Sequence, residues 1–277
     1  MPAPILKVGE ITVIPLSDGG FTPPPSGFMP AVPAEAWNEP EVKQYLTPEG
    51  NVPLNFGMFL LVQGNSRTLV DAGVGGRGGG MPMGKLPGEL EKAGVAPDQI
   101  ERVLITHLHL DHIGWCTIDK SGKPETLFKN ARHIVQRKEW EYWTQEHIKK
   151  DNPVIGLCAE PVHAHGLVDL VDGDVTVAPG VSALFTPGHT PGHQAFLLNS
   201  GGEKAIILGD VTHSMAQLEH TDWCPGFDVD PAASQKTRAE VFDRIEREGL
   251  KVCAGHYPYP GIGAFVRVEG KRRWQGI

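Results

Sequence analysis

The segment "LITHLHLDHIGW" at residues 104–115 constrains this chain more than any other part of its sequence. Three of the chain's 12 histidines and one aspartate fall within six positions, directly after an apolar run. These residues are His107, His109, Asp111 and His112. Neutral imidazole and carboxylate are the usual protein ligands of zinc and similar metals. A single turn does not easily aim four such groups at one ion, so the pattern predicts two ions a few ångströms apart.

Three later segments place a glycine and a metal-binding type of residue after an apolar strand. "FTPGHTPGHQ" contains His189 and His193, "IILGDVTH" contains Asp210 and His213, and "CAGHYPYPGIG" contains His256. Side chains that follow buried strands emerge at the edge of a sheet, where ligand sites form in α/β proteins. We therefore expect these segments to converge on the same rim as the first turn.

The order of the predicted elements indicates two sheets packed face to face with helices outside them, in a single domain of residues 1–277. Strands are predicted at 5–16, in two runs between 55 and 73, and at 131–136, 174–178, 181–186, 194–198, 204–208 and 250–256. Helices are predicted at 86–96, 137–149 and 231–248. The longest begins at Asp230-Pro231 and ends at Gly249, which are typical start and stop residues.

Residues 20–53 differ from the rest because they are rich in proline and have little periodicity. Proline removes backbone donors and disfavours helix in the preceding residue, so most of this segment cannot be regular structure. Its aromatic residues nevertheless indicate packing: Phe21, Phe28, Trp37 and Tyr45. We interpret the segment as an ordered arm that covers either the body of its own chain or a second subunit. The second alternative predicts a homodimer.

Composition excludes several classes of partner. The net charge of −8 leaves no basic face for nucleic acid. No apolar segment approaches the roughly 20 residues that span a bilayer, so no membrane partner is expected. The N-terminus does not have the pattern of a signal peptide, and the four cysteines form no CxxC pair. These features predict a cytoplasmic protein that acts on a small molecule.

With these motifs the sequence resembles the metallo-β-lactamase superfamily over nearly its full length. The resemblance implies an α/β (α+β) fold, the αββα four-layer sandwich, with two divalent ions per chain. Zinc is the expected ion, with manganese, iron or cobalt as alternatives. One ion would be held by His107, His109 and His189, the second by Asp111, His112 and His256, and Asp210 would bridge them. Asp71, in "LVDAG", matches the family's buried carboxylate that orients a ligand imidazole.

Within the superfamily the sequence looks most like the branch that contains methyl parathion hydrolase and N-acyl homoserine lactonases. The segments "TPGHTPGHQ", "KEWEYW" and "GHYPYPGIG…VRVEGKRRW" carry this likeness. It implies that Trp143 lines the substrate pocket. His213 stands where lactonases carry a tyrosine that hydrogen-bonds the substrate carbonyl, and the alternative, an exposed loop residue, stays open. We predict catalytic roles for Asp111 and His213, and a supporting role for His193.

Two divalent ions lower the pKa of a shared water toward about 7 and so provide hydroxide at neutral pH. The chain is therefore predicted to hydrolyse an uncharged ester, lactone or phosphotriester. Methionine and aromatic side chains suit an apolar pocket, and we expect its wall to contain Phe21, Phe28, Met81, Met83 and Trp143. Two alternatives remain open: a non-catalytic metal-binding member of the fold, and an iron-dependent oxidoreductase of the sulfur dioxygenase type.

Overall fold

Two seven-stranded sheets dominate the computed structural model, which describes residues 4–76 and 83–277. The first sheet begins with β1 (Leu6–Val8), β2 (Ile11–Phe21), β3 (Leu54–Gln63), β4 (Ser66–Val70) and β5 (Arg102–Leu104). A separate hairpin follows in the sequence, formed by β6 (Thr117–Lys120) and β7 (Lys123–Thr126). The first sheet is then completed by β8 (Arg132–Gln136) and β9 (Val168–Val171). The strands of the second are β10 (Val175–Ala178), β11 (Val181–Phe185), β12 (Gln194–Ser200), β13 (Glu203–Ile207), β14 (Lys251–Cys253), β15 (Ile262–Val268) and β16 (Lys271–Gly276).

Most of the α-helices are short. They are α1 (Pro25–Phe28), α2 (Pro40–Lys43), α3 (Leu86–Lys92), α4 (Leu110–Ile113), α5 (Arg137–Trp143), α6 (Glu146–Lys149), α7 (Glu160–Ala164) and α8 (Pro231–Glu248). Helix α8 has the predicted bounds, because the Asp230 side chain accepts a hydrogen bond from the Ala233 N–H at its start and Gly249 takes a left-handed φ of 63° at its end. None of the helices within the described residues is long and apolar enough to cross a bilayer.

Alternation of side chains along the strands creates the layers. In β3, Phe59 and Leu61 pack against the second sheet, while Met58 and Leu60 face the helices outside the first sheet. In β13, Ile206 faces outward into the cluster that includes α8. The result is a helix–sheet–sheet–helix order, which confirms the predicted αββα sandwich.

Strand directions bring the motif segments to one edge of the sandwich. Strand β5 runs parallel to β4 and β8 in the first sheet, and β13 runs parallel to β14 in the second. The carboxyl end of β5 leads into the turn at 107–112, and those of β11, β13 and β14 lead to His189, Asp210 and His256. Polar residues at the carboxyl ends of neighbouring strands therefore meet at one rim.

Several element bounds differ from the prediction; the helix predicted at 86–96 ends at Lys92, and the strand predicted at 5–16 is divided into β1 and β2. The helix predicted at 137–149 is divided into α5 and α6, because Gln145 takes an extended conformation with ψ of 131°. The strand predicted at 250–256 ends at Cys253, where the chain turns toward the rim. The arm begins later than residue 20, because Gly20 and Phe21 still pair with β3.

The Pro-rich arm packs on its own chain. Phe28, Trp37 and Val42 are buried together with Ala216 and Trp223 of the body. The rings of Trp37 and Trp223 lie 4.8 Å apart. The intrachain alternative therefore accounts for most of the arm's apolar residues. The apolar residues of the arm therefore no longer argue for a homodimer, which stays a prediction.

Candidate metal centre

Three imidazoles converge on one point at the rim, and we call them the first ligand cluster (His107, His109 and His189). Nε2 of His107 lies 2.9 Å from Nδ1 of His109 and 3.2 Å from Nε2 of His189. The third side of this triangle, His109 Nδ1 to His189 Nε2, is 3.0 Å. A tetrahedral ion with nitrogen bonds of about 2.0–2.1 Å needs ligand atoms about 3.3 Å apart. The spacing of the cluster therefore suits a zinc-sized ion.

The second ligand cluster consists of Asp111, His112 and His256. Nε2 of His112 lies 3.4 Å from Oδ2 of Asp111, and Nε2 of His256 lies 3.6 Å from the same oxygen. His112 Nε2 is buried and has no hydrogen-bond partner among the described residues. A buried nitrogen without a partner is costly unless something else fills its lone-pair direction.

Asp210 lies between the two clusters and turns one oxygen to each. Its Oδ2 lies 3.2 Å from Nε2 of His189 and 3.6 Å from Nε2 of His107. Its Oδ1 lies 3.1 Å from Nε2 of His256 and 3.3 Å from Nε2 of His112. The side chain is 3% exposed, and Oδ1 has no hydrogen-bond partner among the described residues. This position allows the carboxylate to bridge two cations.

Electrostatics at the rim favour positive charge in the space between the ligands. Burial lowers the pKa of His109 to about 3, and that of His107 well below its usual range, so both rings are neutral and offer lone pairs. Burial also opposes the charged form of His189, but Asp210 and Asp228 outweigh it and raise the pKa to about 9. Donor types, spacing and unpartnered atoms together fit two divalent ions.

Buried partners orient the ligand rings from behind. Asp71 accepts a hydrogen bond from His112 Nδ1 at 2.8 Å and from the Thr106 N–H at 2.8 Å, as expected for the carboxylate behind a ligand imidazole. Asp71 has a φ of 61°, a left-handed conformation that aspartate tolerates better than most residues. The ring of His193 accepts a hydrogen bond from the Asp210 N–H at 2.9 Å, which is the supporting position predicted for it.

His213 is buried, not exposed on a loop. Its Nε2 lies 2.9 Å from Asp210 Oδ2, and its ring stacks on that of His256 at 5.1 Å. The backbone N–H of His213 donates a hydrogen bond to the side-chain oxygen of Gln217 at 2.7 Å. Burial lowers the pKa of His213 to about 4, so its ring is neutral. The structure therefore places His213 against the Asp210 carboxylate, a contact that the sequence does not predict.

A cavity of about 670 Å³ opens in front of the two clusters. Phe21, Phe28, Met83 and Trp143 line it, as predicted, and Met81 lies outside the described residues. Asp111, with a side chain 23% exposed, and His213 also line it. The described lining contains no lysine or arginine. This cavity suits an uncharged, largely apolar molecule.

Sequence reasoning missed several residues of the site. Asp228 Oδ1 lies 2.7 Å from Nδ1 of His189 and fixes the orientation of this ring. Phe56 and Phe227 belong to the cavity wall, and the Asn55 carbonyl accepts a hydrogen bond from His256 Nδ1. Asp228 follows no apolar strand, so the signal that identified the metal ligands does not apply to it.

Comparison with known proteins places these features in a family. Residues 58–256 match the family model described as Metallo-beta-lactamase superfamily. The N-acyl homoserine lactonase AiiA of Bacillus thuringiensis subsp. kurstaki is 29% identical over 170 residues, 60% of each chain. The N-acyl homoserine lactonase AttM of Azorhizobium caulinodans is 32% identical over 181 residues, 61% of this chain and 63% of its own. The present chain thus spans about three fifths of the length of these relatives.

Two solved structures are similar over almost the whole chain. The hydrolase AbOPH of the beta lactamase superfamily is 28% identical, with a TM-score of 0.86, over 99% of this chain and 96% of its own. AidC, a dizinc quorum-quenching lactonase in complex with a product, is 22% identical, with a TM-score of 0.87, over 99% and 97%. At 22% identity the second likeness shows the fold alone.

Proposed function

Because the chain belongs to the metallo-beta-lactamase superfamily, we propose that it is a dinuclear metal-dependent hydrolase of uncharged lactones and related esters. The position of Asp210, with one carboxylate oxygen toward each ligand cluster, carries this proposal. We propose zinc as the ion in both positions. The names of the lactonase relatives favour lactones over phosphotriesters as the substrate class.

When bound, two divalent ions supply an acidified water and a Lewis acid for the substrate carbonyl. The residues of the chain prepare the site for this chemistry. Asp228 holds the Nδ1–H of His189, so that Nε2 faces Asp210 and the other rings of the first cluster. Asp111 lies beside the cavity, where its carboxylate can carry a proton to the leaving oxygen.

His213 contacts Asp210 and also lines the cavity, so it can contact a bound substrate. Its Nδ1 has no hydrogen-bond partner among the described residues, and its ring lines the cavity. Because the ring is neutral and Nε2 donates to Asp210, Nδ1 is a hydrogen-bond acceptor, and we propose that it accepts from an N–H or O–H group of the substrate, whereas the tyrosine expected at this position would donate to the carbonyl oxygen. The contact of His213 with Asp210 would at the same time hold the carboxylate between the two clusters.

A hydrolysis screen tests the proposal. Purified protein would be loaded with zinc, manganese or iron and offered N-acyl homoserine lactones, simple lactones, aryl esters and phosphotriesters. We expect turnover of lactones or aryl esters that disappears on chelation and returns with zinc. The iron form under oxygen, with thiol substrates, tests the oxidoreductase alternative. Absence of turnover in every metal form would leave the non-catalytic alternative.

Phe227 offers a test of the cavity that is separate from folding. Its side chain is 45% exposed, and its ring lies 5.7 Å from that of Phe28 and 5.5 Å from that of His213. Phe227→Ala should raise KM for apolar substrates about five- to tenfold, the equivalent of about 1–1.4 kcal/mol of lost apolar contact. An exposed position should change the free energy of unfolding by less than about 1 kcal/mol.

Val229→Ala is the matched control for Phe227, because Val229 is also exposed, at 39%, but does not line the cavity. Trp143 is less suitable, since it is 6% exposed and part of the core, where truncation costs about 3–5 kcal/mol. Equal KM values for the Phe227 and Val229 variants would count against the proposed binding surface.

We further propose a homodimer, since members of the branch that the sequence resembles often form dimers. Light scattering of the full chain should give twice its mass of 30.0 kDa at micromolar concentration and above. A mass of one chain at every concentration would exclude this assembly.

A further inference from the structure

We propose that Glu139 is a positioning residue that aligns the first ligand cluster with Trp143 of the cavity wall. This inference rests on the proposed function. Glu139 lies in the first turn of α5 and is completely buried. It forms no ion pair among the described residues, and it is not one of the metal ligands.

The carboxylate accepts four hydrogen bonds from three parts of the chain. Oε1 accepts from the Leu108 N–H at 2.9 Å and from Trp143 Nε1 at 2.7 Å. Oε2 accepts from the Thr190 hydroxyl at 2.7 Å and from the Gly192 N–H at 2.9 Å. Each oxygen therefore has two donors, so all the lone pairs of this buried carboxylate have a hydrogen-bond partner.

Two of these partners are direct sequence neighbours of the proposed metal ligands. Leu108 lies between His107 and His109, and Thr190 follows His189. A shift of the carboxylate would therefore move the backbone beside His107, His109 and His189, and with it all three rings of the first ligand cluster. The loop also approaches α5 very closely, since a Cβ on Gly192 would lie 2.1 Å from the Glu139 backbone nitrogen.

Packing alone does not require a carboxylate here. Burial raises the pKa of Glu139, and an ionised group without a counter-ion costs free energy that only its four donors offset. An apolar side chain of similar size would avoid this cost but leave four donors unpaired. The group is explained by what it joins: two ligand loops from different sheets and the indole N–H of Trp143.

Three substitutions separate the two sides of this link. Glu139→Gln keeps the size of the side chain but replaces one acceptor oxygen by an N–H₂ donor, which faces Leu108 and Trp143 in the Oε1 position or Thr190 and Gly192 in the Oε2 position, so the metal side is disturbed in either orientation. Thr190→Val removes one contact on the metal side, and Trp143→Phe removes the contact on the cavity side while keeping an aromatic ring. Glu141→Gln, an exposed glutamate on the same helix, is the matched control.

Zinc retention against a chelator, the visible spectrum of the cobalt(II) form and KM for an aryl ester would be measured for each variant. Glu139→Gln should weaken zinc binding about ten- to hundredfold and change the cobalt spectrum. Thr190→Val should affect the metal readouts with little change in KM. Trp143→Phe should raise KM with zinc retention near that of the unmodified protein.

Two results would overturn the inference. One is a Glu139→Gln protein that unfolds at a lower temperature but matches Glu141→Gln in zinc retention, cobalt spectrum and KM. The other, decisive if Glu139→Gln does not fold, is a pair of Thr190→Val and Trp143→Phe proteins indistinguishable from the control. The zinc and cobalt measurements need no substrate, so they test Glu139 even if the hydrolysis screen fails.

Discussion

Asp210→Ala is expected to lower kcat/KM at least about a thousandfold, the equivalent of about 4 kcal/mol of transition-state stabilisation. The reason is its double contact, with Oδ2 near the first ligand cluster and Oδ1 near the second. Removing one side chain therefore takes a ligand from both positions and the negative charge from between them. Elemental analysis should find fewer than two ions per chain.

Asp222→Ala, which alters an exposed aspartate, is the control for non-specific effects. Asp210→Asn is a useful second variant, because it keeps the volume of the side chain and removes its charge. Two ions per chain and full activity in the Asp210→Ala protein would show that the ligand assignment is wrong.

Asp111→Asn should produce the second largest loss, about a hundredfold or more in kcat. Asp111 contacts His112 and His256 in the second ligand cluster, and its side chain is also the more exposed of the two metal-site carboxylates. Burial alone would raise its pKa, but His112 and His256 lower it, so the group is ionised and available as a ligand and proton carrier. Asparagine keeps the shape and loses both properties.

The metal content distinguishes the two roles of Asp111. A variant that retains two ions but loses kcat would indicate a role in proton transfer, whereas loss of one ion would indicate ligation. A rate equal to that of the unmodified protein with both ions present would contradict both roles.

The convergence of the candidate metal ligands could be predicted because several of them carry a local signal. His107, His189, Asp210 and His256 all follow an apolar strand, and strands of this kind end at the same edge of the sandwich. The αββα order was accessible for a similar reason, since period-two alternation identifies strands and the Asp230 to Gly249 pattern identifies α8.

The supporting residues could not be predicted, because they approach the site only through the fold. Asp228 lies 39 residues from His189 in the sequence and in a loop without periodicity. Glu139 is one of two glutamates in "KEWEYW", and nothing local distinguishes it from the exposed Glu141. The role of His213 depends on a 2.9 Å contact with Asp210, which residue spacing does not determine.

The predicted bounds of some elements were wrong where the backbone conformation of a single residue interrupts a regular sequence pattern. The run 137–149 has helical character throughout, but the extended Gln145 separates α5 from α6. The sequence does not predict the hairpin of β15 and β16, because Lys271, Arg272 and Arg273 have the pattern of a solvated basic run, whereas Arg272 is buried against Phe242 and pairs with Glu246. A basic sequence read in isolation does not predict such burial.

If the proposed ions bind, the division of their ligands between the two sheets would link metal supply to the lifetime of the protein. The turn at 107–112 belongs to the first sheet, whereas His189, Asp210 and His256 belong to the second. Each bound ion would therefore fasten one sheet to the other and favour only the folded chain. An ion at a hundredfold excess over its Kd adds about 2.7 kcal/mol to the free energy of unfolding. In a cell short of the bound metal the same chain would open more often and be degraded sooner by proteases, so its abundance would follow the supply of that metal.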